Sequence, residues 1–166
     1  GSTVINPLTT LVQGYMEANP GTTAAAASKA VATALAIGAN VDLLNYDPIA
    51  AASASTGTGQ AEALSIQIKA AQVANLLVTG AVAVSQAGGT SYEAAASDVL
   101  KRLVTEISNA ASSPTAVQVT LNSPAVLTRV LSNVTTDLVE LIVKGNTISA
   151  TTLQNLYDFQ KVVQDD

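Results

Sequence analysis

The sequence predicts an all-α fold, a multi-helix bundle of about six to seven helices around a long central apolar helix. Three observations carry that prediction. Capping residues followed directly by proline recur along the chain, at Asn6-Pro7, Asp47-Pro48 and Ser123-Pro124; a cap followed by proline is a helix start, because the first helical position has no use for an N–H. Apolar residues then recur three and four apart, the period of a helix face. One stretch, from about Gln60 to Ala87, is apolar around most of its helical circumference, which is the pattern of a buried helix.

Taken in order, the first helix opens at Pro7 with Asn6 as N-cap, presents Leu8, Leu11, Val12 and Tyr15 on one face, and stops at Asn19-Pro20-Gly21. Thr22 or Thr23 caps an alanine-rich helix that runs to Ile37. Its small apolar line is Ala27, Val31, Ala34 and Leu35, and Gly38 is its expected left-handed C-cap. "NVDLLNYDP", Asn40 to Pro48, reads as a connection. Asp47 then caps a short helix through Ile49 and Ala52 that ends near Thr56-Gly57-Thr58-Gly59. The long helix follows. Its polar positions, Glu62, Ser65, Lys69, Gln72, Thr79 and Gln86, form a narrow stripe, and Gly80 marks either a close helix approach or a kink. Asn75 is expected to hydrogen-bond inside the bundle or at its edge.

Gly88-Gly89 breaks the chain, and Thr90 with Glu93 reads as a capping box. The next helix, to about Ala111, buries Ala96, Val99, Leu100, Leu103, Val104 and Ile107, with Asp98 and Arg102 paired on its outer face. In Ser112–Pro124, Val117, Val119 and Leu121 alternate at strand period, but a lone strand has no partner here, so an extended crossover is expected. Ser123-Pro124 opens a helix with Val126, Leu127, Val130, Leu131, Val134, Leu138, Leu141 and Ile142 inward, and Gly145 ends it. A last helix, from near Ser149, uses Thr152, Leu156, Phe159 and Val163.

With 166 residues the chain is long enough for one domain with a substantial core. Residues 1–5 read as a cloning remnant, Gly1-Ser2, and the tail of a preceding domain; 6–164 form the single helical-bundle domain. The net charge is −5, and the seven basic residues (Lys29, Lys69, Lys101, Arg102, Arg129, Lys144, Lys161) are scattered. Nucleic-acid binding needs a concentrated positive surface, so this balance argues against it, and against an anionic membrane surface too. The longest uncharged run, Ala70 to Tyr92, is interrupted by Gln72, Asn75 and Gln86 and ends in Gly88-Gly89, so membrane insertion is not expected. Charged residues make up 11%, well under the roughly 25% of an average domain.

No cysteine and no histidine are present. Disulfides and thiolate metal sites are thereby excluded, and the usual neutral-pH general base is missing. Serines have no histidine to activate them. Ser28 and Lys29 are neighbours in sequence, diverge on a helix, and read as a solvated face. Glu93, Asp98, Glu106, Asp137 and Glu140 fall on polar faces, with Glu140 and Lys144 at an ordinary i,i+4 spacing. "TGTGQ" and "AGGT" lack the lysine of a phosphate loop. The one metal-like group is Asp42, Asn45 and Asp47, an oxygen-bearing loop of the kind calcium takes, without the spacing, glycine or distal glutamate of an EF-hand. No cofactor is expected to be needed for folding.

"TVINPLTTLV", followed by "NPGTTAAAASKAV", "NVDLLNYDPIAAA" and "ALSIQIKAAQVANLL", resembles a helical region recurring in very long bacterial secreted proteins. Those proteins are repeat-containing surface adhesins, often of the calcium-binding RTX type. The resemblance covers roughly the first half, to about Val78. It implies that Thr3-Val4-Ile5 is the end of a β-rich domain running into the first helix, and it supplies no catalytic residues. The expectation is a non-enzymatic structural or adhesive module of a large extracellular or cell-surface protein. Its partners would be neighbouring domains of the same chain and cell-surface or matrix components. The alternatives are a helical-bundle binding domain for an apolar small molecule or partner peptide, and an enzyme of unfamiliar type.

Overall fold

The computed structural model describes residues 6–38, 41–47, 58–115 and 118–165. Six helices are present among them: α1 (Pro7–Ala18), α2 (Ala24–Ala34), α3 (Thr58–Gly88), α4 (Tyr92–Ser112), α5 (Pro124–Val130) and α6 (Thr136–Asp165). No strand occurs among the described residues. The fold is all-α, as the periodicity predicts. The proposed helix after Asp47-Pro48, the Val4-Ile5 tail and Val117 lie outside the described residues.

α3 packs along both α4 and α6 and touches α1; α1 and α2 pack on each other and on α4; α5 bridges α4 and α6. The apolar core runs through all of them, with Leu8, Leu11, Val31, Leu35, Ile66, Leu76, Leu103, Ile107, Leu121 and Leu127 fully buried. Removing such side chains from water is the main stabilising term, at about 25 cal/mol per Å². α3 is not enclosed all round. Val78 and Val82 on one of its edges are 57% and 42% exposed.

The starts of the helices follow the caps. Asn6 Oδ1 accepts from Leu8 N–H at 2.9 Å, and Thr23 Oγ1 from Ala26 N–H at 3.2 Å. α4 differs from expectation: Ser91, not Thr90, is the N-cap and accepts from Ala94 N–H, because the chain turns at Gly89 (φ 63°) and needs one more residue to enter the helix. The end of α2 also differs. Gly38 is not the left-handed residue; Ala36 is, at φ 60°. Ile37 N–H reaches Ala32 C=O at 2.7 Å and Ala36 N–H reaches Thr33 C=O at 3.2 Å. That pair of bonds is a Schellman motif, and burial of Ile37 completes it.

The largest differences lie after Pro124. α5 lasts seven residues and ends at Val130, and Asn133 takes the left-handed turn at φ 59°. α6 then runs unbroken from Thr136 through Gly145 to Asp165, so Gly145 is not a terminator and no helix starts at Ser149. A Cβ on Gly145 would sit 3.3 Å from Asn75 Nδ2; the glycine is there to let α6 approach α3. Gly80 makes room in the same way for the end of α5, since a Cβ there would meet Leu131 Cδ2 at 2.8 Å. Of the residues expected to face inward, Val126, Leu127, Val130, Leu131 and Ile142 are buried, whereas Leu138, Leu141, Thr152, Leu156, Phe159 and Val163 are exposed. The buried residues of α6 are Val139, Ile142 and Asn146. Among the described residues of the crossover before α5 no strand forms; Val119 and Leu121 are buried, Val119 N–H bonds to Ala34 C=O at 2.7 Å, and the chain turns at 121–122.

Candidate functional site

The oxygen-bearing loop sits over α2. Val41 and Leu43 are buried and pin the segment to the core. Leu43 N–H donates to Ser28 Oγ at 3.0 Å. Ser28 is therefore not on a solvated face: it is 3% exposed and anchors this turn. Asp42 closes an Asx turn, with Oδ1 accepting from Leu44 N–H at 3.1 Å and Oδ2 from the Asn45 side-chain amide at 2.7 Å. These donors, Asn45 first and Leu44 second, hold the Asp42 carboxyl below its ordinary range. Asp42, Asn45 and Asp47 are all exposed. The structure thus brings Asp42 and Asn45 together, with the Asn45 nitrogen, not its oxygen, turned to the carboxylate. Among the described residues no group of three or more acidic side chains gathers at a metal-binding spacing.

A second polar constellation lies between α3 and α6. Asn146 is fully buried. Its Nδ2 donates to Leu121 C=O, and its Oδ1 accepts from Asn75 Nδ2 at 2.8 Å. Thr79 Oγ1 donates to Asn75 Oδ1 at 3.0 Å, and Gln72 Nε2 reaches Asn146 C=O at 3.3 Å. Asn75 is bonded at the edge of the bundle, as expected. Gln72 is buried, contrary to its place in the polar stripe, and its Oε1 has no protein partner. Lys69, one turn before it, is half-buried, and desolvation lowers its ammonium below the usual range.

The third cluster joins α4 to α5 and the turn after it. Asp98 receives Arg102 Nε at 3.1 Å and Ser132 Oγ at 2.9 Å, and Arg129 Nε reaches Glu106 at 2.8 Å. An open dent of about 230 Å³ lies beside it, lined by Val84, Ala95, Asp98 and Ser132 among others. That volume is below the roughly 300–1,000 Å³ of small-molecule sites. These ion pairs sit at the surface, where each is worth about 0–1 kcal/mol.

One helix among the described residues, α3, is long and apolar enough to cross a membrane by length and composition, and 39% of its most apolar stretch is buried here. A core helix of a soluble protein passes the same test. Comparison of the chain with protein-family models, with characterised proteins and with solved structures finds no match. The site residues that sequence reading missed are Ser28, Gln72 and Asn146. Asn146 follows a glycine and resembles a helix end. Only its four- and seven-residue offsets from the buried Ile142 and Val139 place it on the inner face.

Proposed function

We propose that this chain is a non-enzymatic structural or adhesive module, a spacer or contact domain, of a large extracellular bacterial surface protein. The observation that carries the proposal is what the buried polar side chains do. Ser28 holds the 41–47 turn on α2; Gln72 and Asn146 join α3, α6 and the crossover at Leu121. Each fastens one segment to another, and such groups make a bundle rigid and its register unique. The resemblance of the first half to helical regions of repeat-containing surface proteins supports the same reading.

Two measurements test it. Antibodies raised against residues 6–165 should label intact source cells or the secreted fraction; label confined to lysed cells overturns the extracellular placement. Thermal melts in EDTA and in millimolar calcium should coincide, since the fold rests on burial. An ion that binds only the native state raises stability by RT ln(1 + [L]/Kd). A rise in calcium that disappears in Asp42→Ala would instead make the 41–47 turn a metal site. A second reading, a binding domain for a partner helix, draws support from the exposed apolar face of α6.

A further inference from the structure

α6 has two apolar faces, and the fold uses one. Val139, Ile142 and Asn146 are buried. The other face carries Leu138, Leu141, Ile148, Phe159 and Val162, exposed by 37%, 63%, 55%, 67% and 65%, with Leu156 and Val163 beside them. The five fall on the a and d positions of one unbroken heptad register, a at 138, 145, 152 and 159, d at 141, 148, 155 and 162. Such a seam is how one helix addresses another. Asn75 of α3 lies level with Gly145 and Asn146. At 1.5 Å per residue, the antiparallel pair then places the exposed Val78 and Val82 level with Leu141 and Leu138. The seam and these valines expose on the order of 900 Å², against about 800 Å² per partner in a standard stable interface. A monomer's largest apolar patch is about 300–600 Å².

We infer that this face is the interface of a two-fold dimer, in which α6 packs antiparallel against α6 of a second copy of this chain. The heptad positions of α6 are self-complementary in that direction. A two-fold at Ala150 sets Leu138 on the partner's Val162, Leu141 on the partner's Phe159 and Ile148 on the partner's Thr152. Gly145, at the edge of the seam where α6 meets α3, leaves room opposite the partner's Asn155, an inner position where a polar group fixes register. Charge agrees. Lys144 and Asp158 are exposed, two heptads apart at g positions, and g faces g in an antiparallel pair. Each Lys144 therefore meets the partner's Asp158, which within its own chain accepts from Gln154 at 3.0 Å. A parallel pair would set g against e, placing Lys144 opposite Ser149 and Asp158 opposite Val163, with no charge match. The antiparallel two-fold also brings Asp137 level with the partner's Asp165 at the outer ends, where screening is greatest.

Sedimentation equilibrium of the 166-residue chain should give twice the 16.7 kDa chain mass. It should do so at about 100 µM, above the micromolar constants at the weak end for interfaces of this size. Phe159→Asp should weaken the dimer by about 30-fold or more, the effect of a buried anchor. Its helical circular dichroism should stay unchanged, because Phe159 is exposed in the single chain. Lys144→Asp and Asp158→Lys should each weaken association, and the double exchange should restore it. A monomer at the highest concentration overturns the inference and leaves the face to a different partner. So does a dimer indifferent to Phe159→Asp, or one that the double exchange fails to restore. None of these outcomes bears on where the protein resides or on its need for a cofactor.

Discussion

The two sides of α3 are built from different chemistry. Toward α1 and α4 the shared core is apolar, with Leu11, Ile66, Leu76, Leu103 and Ile107 fully buried; α1 itself meets α4 closely, where a Cβ on Gly14 would lie 3.0 Å from Val104 Cγ2. Toward α6 the contact runs through amides: Gln72, Asn75 and Asn146, with Gly145 bringing the backbones close. Apolar packing rewards volume and is largely indifferent to which side chain supplies it. An amide pair has to be level with its partner, so a slide of one turn leaves buried donors and acceptors unmet. The first side should supply most of the stability; the second should decide the alignment of α6, and with it the direction of α6's outer face.

The largest expected effect tests the apolar side. Leu103→Ala should cost about 3–4 kcal/mol, within the range for a buried leucine that leaves a cavity. Denaturant unfolding should show the midpoint falling with an unchanged slope. A cost under about 1 kcal/mol would mean that α4 relaxes into the space and the apolar side is loosely packed.

Asn146→Ala sharpens the contrast on the other side. It strips Leu121 C=O and the Asn75 amide of their partner and should cost about 2–3 kcal/mol, mostly the penalty of unmet buried groups. Asn146→Leu, which restores volume but no hydrogen bonds, should recover little. If the leucine variant is as stable as wild type, the seam is ordinary packing and the two sides do not differ in kind.

How much of this was legible follows from which residues obey local rules. Starts of helices are local, and Asn6, Thr23 and the Pro124 boundary were readable from neighbours in sequence. The α5–α6 boundary was not. Val126, Val130 and Val134 keep a helical period straight through the break, where Leu131 turns extended and Asn133 then takes the left-handed region. Gly145 misled in the opposite sense, because a glycine that stops a helix and one that admits a neighbouring helix look alike in sequence. Ser28 was hidden beside Lys29, since a buried hydroxyl is identified by the chain that crosses it, here Leu43 N–H. The candidate loop was half legible. Asp42 and Asn45 do meet, but as a turn-closing pair whose geometry no spacing rule reveals.

That turn gives a smaller effect. Ser28→Ala should cost about 1–2 kcal/mol, by orphaning the buried Leu43 N–H. Its acid behaviour follows from Asp42. Hydrogen bonds from Asn45 and Leu44 lower the folded-state pKa below the unfolded value of about 3.9. The stabilisation is therefore present above that value and is lost as pH falls through the folded one. Asp42→Asn should accordingly flatten the fall of the melting temperature below about pH 4, relative to wild type. An unchanged acid limb would show that other carboxylates govern it.

The smallest effect is a gain, and it lies where the apolar side meets its own limit. Ala36 ends α2 in the left-handed region at φ 60°, with a Cβ that crowds the following carbonyl. That conformation costs an L-residue roughly 1–2 kcal/mol. It persists because Ile37 behind it is buried and both Schellman bonds are made. Ala36 itself is exposed, so nothing packs on the methyl that would be removed. Glycine relieves the strain and adds unfolded-state entropy worth about 0.4–1 kcal/mol in the other direction. Ala36→Gly should then stabilise the protein by about 0.5–1 kcal/mol, once that entropy is subtracted from the strain. Asn133→Gly, at φ 59°, is the internal comparison. Asparagine already tolerates that region, so its gain should be smaller than that at Ala36. If Ala36→Gly lowers the melting temperature, the left-handed turn does not end α2, and Ile37 owes its burial to something other than the cap.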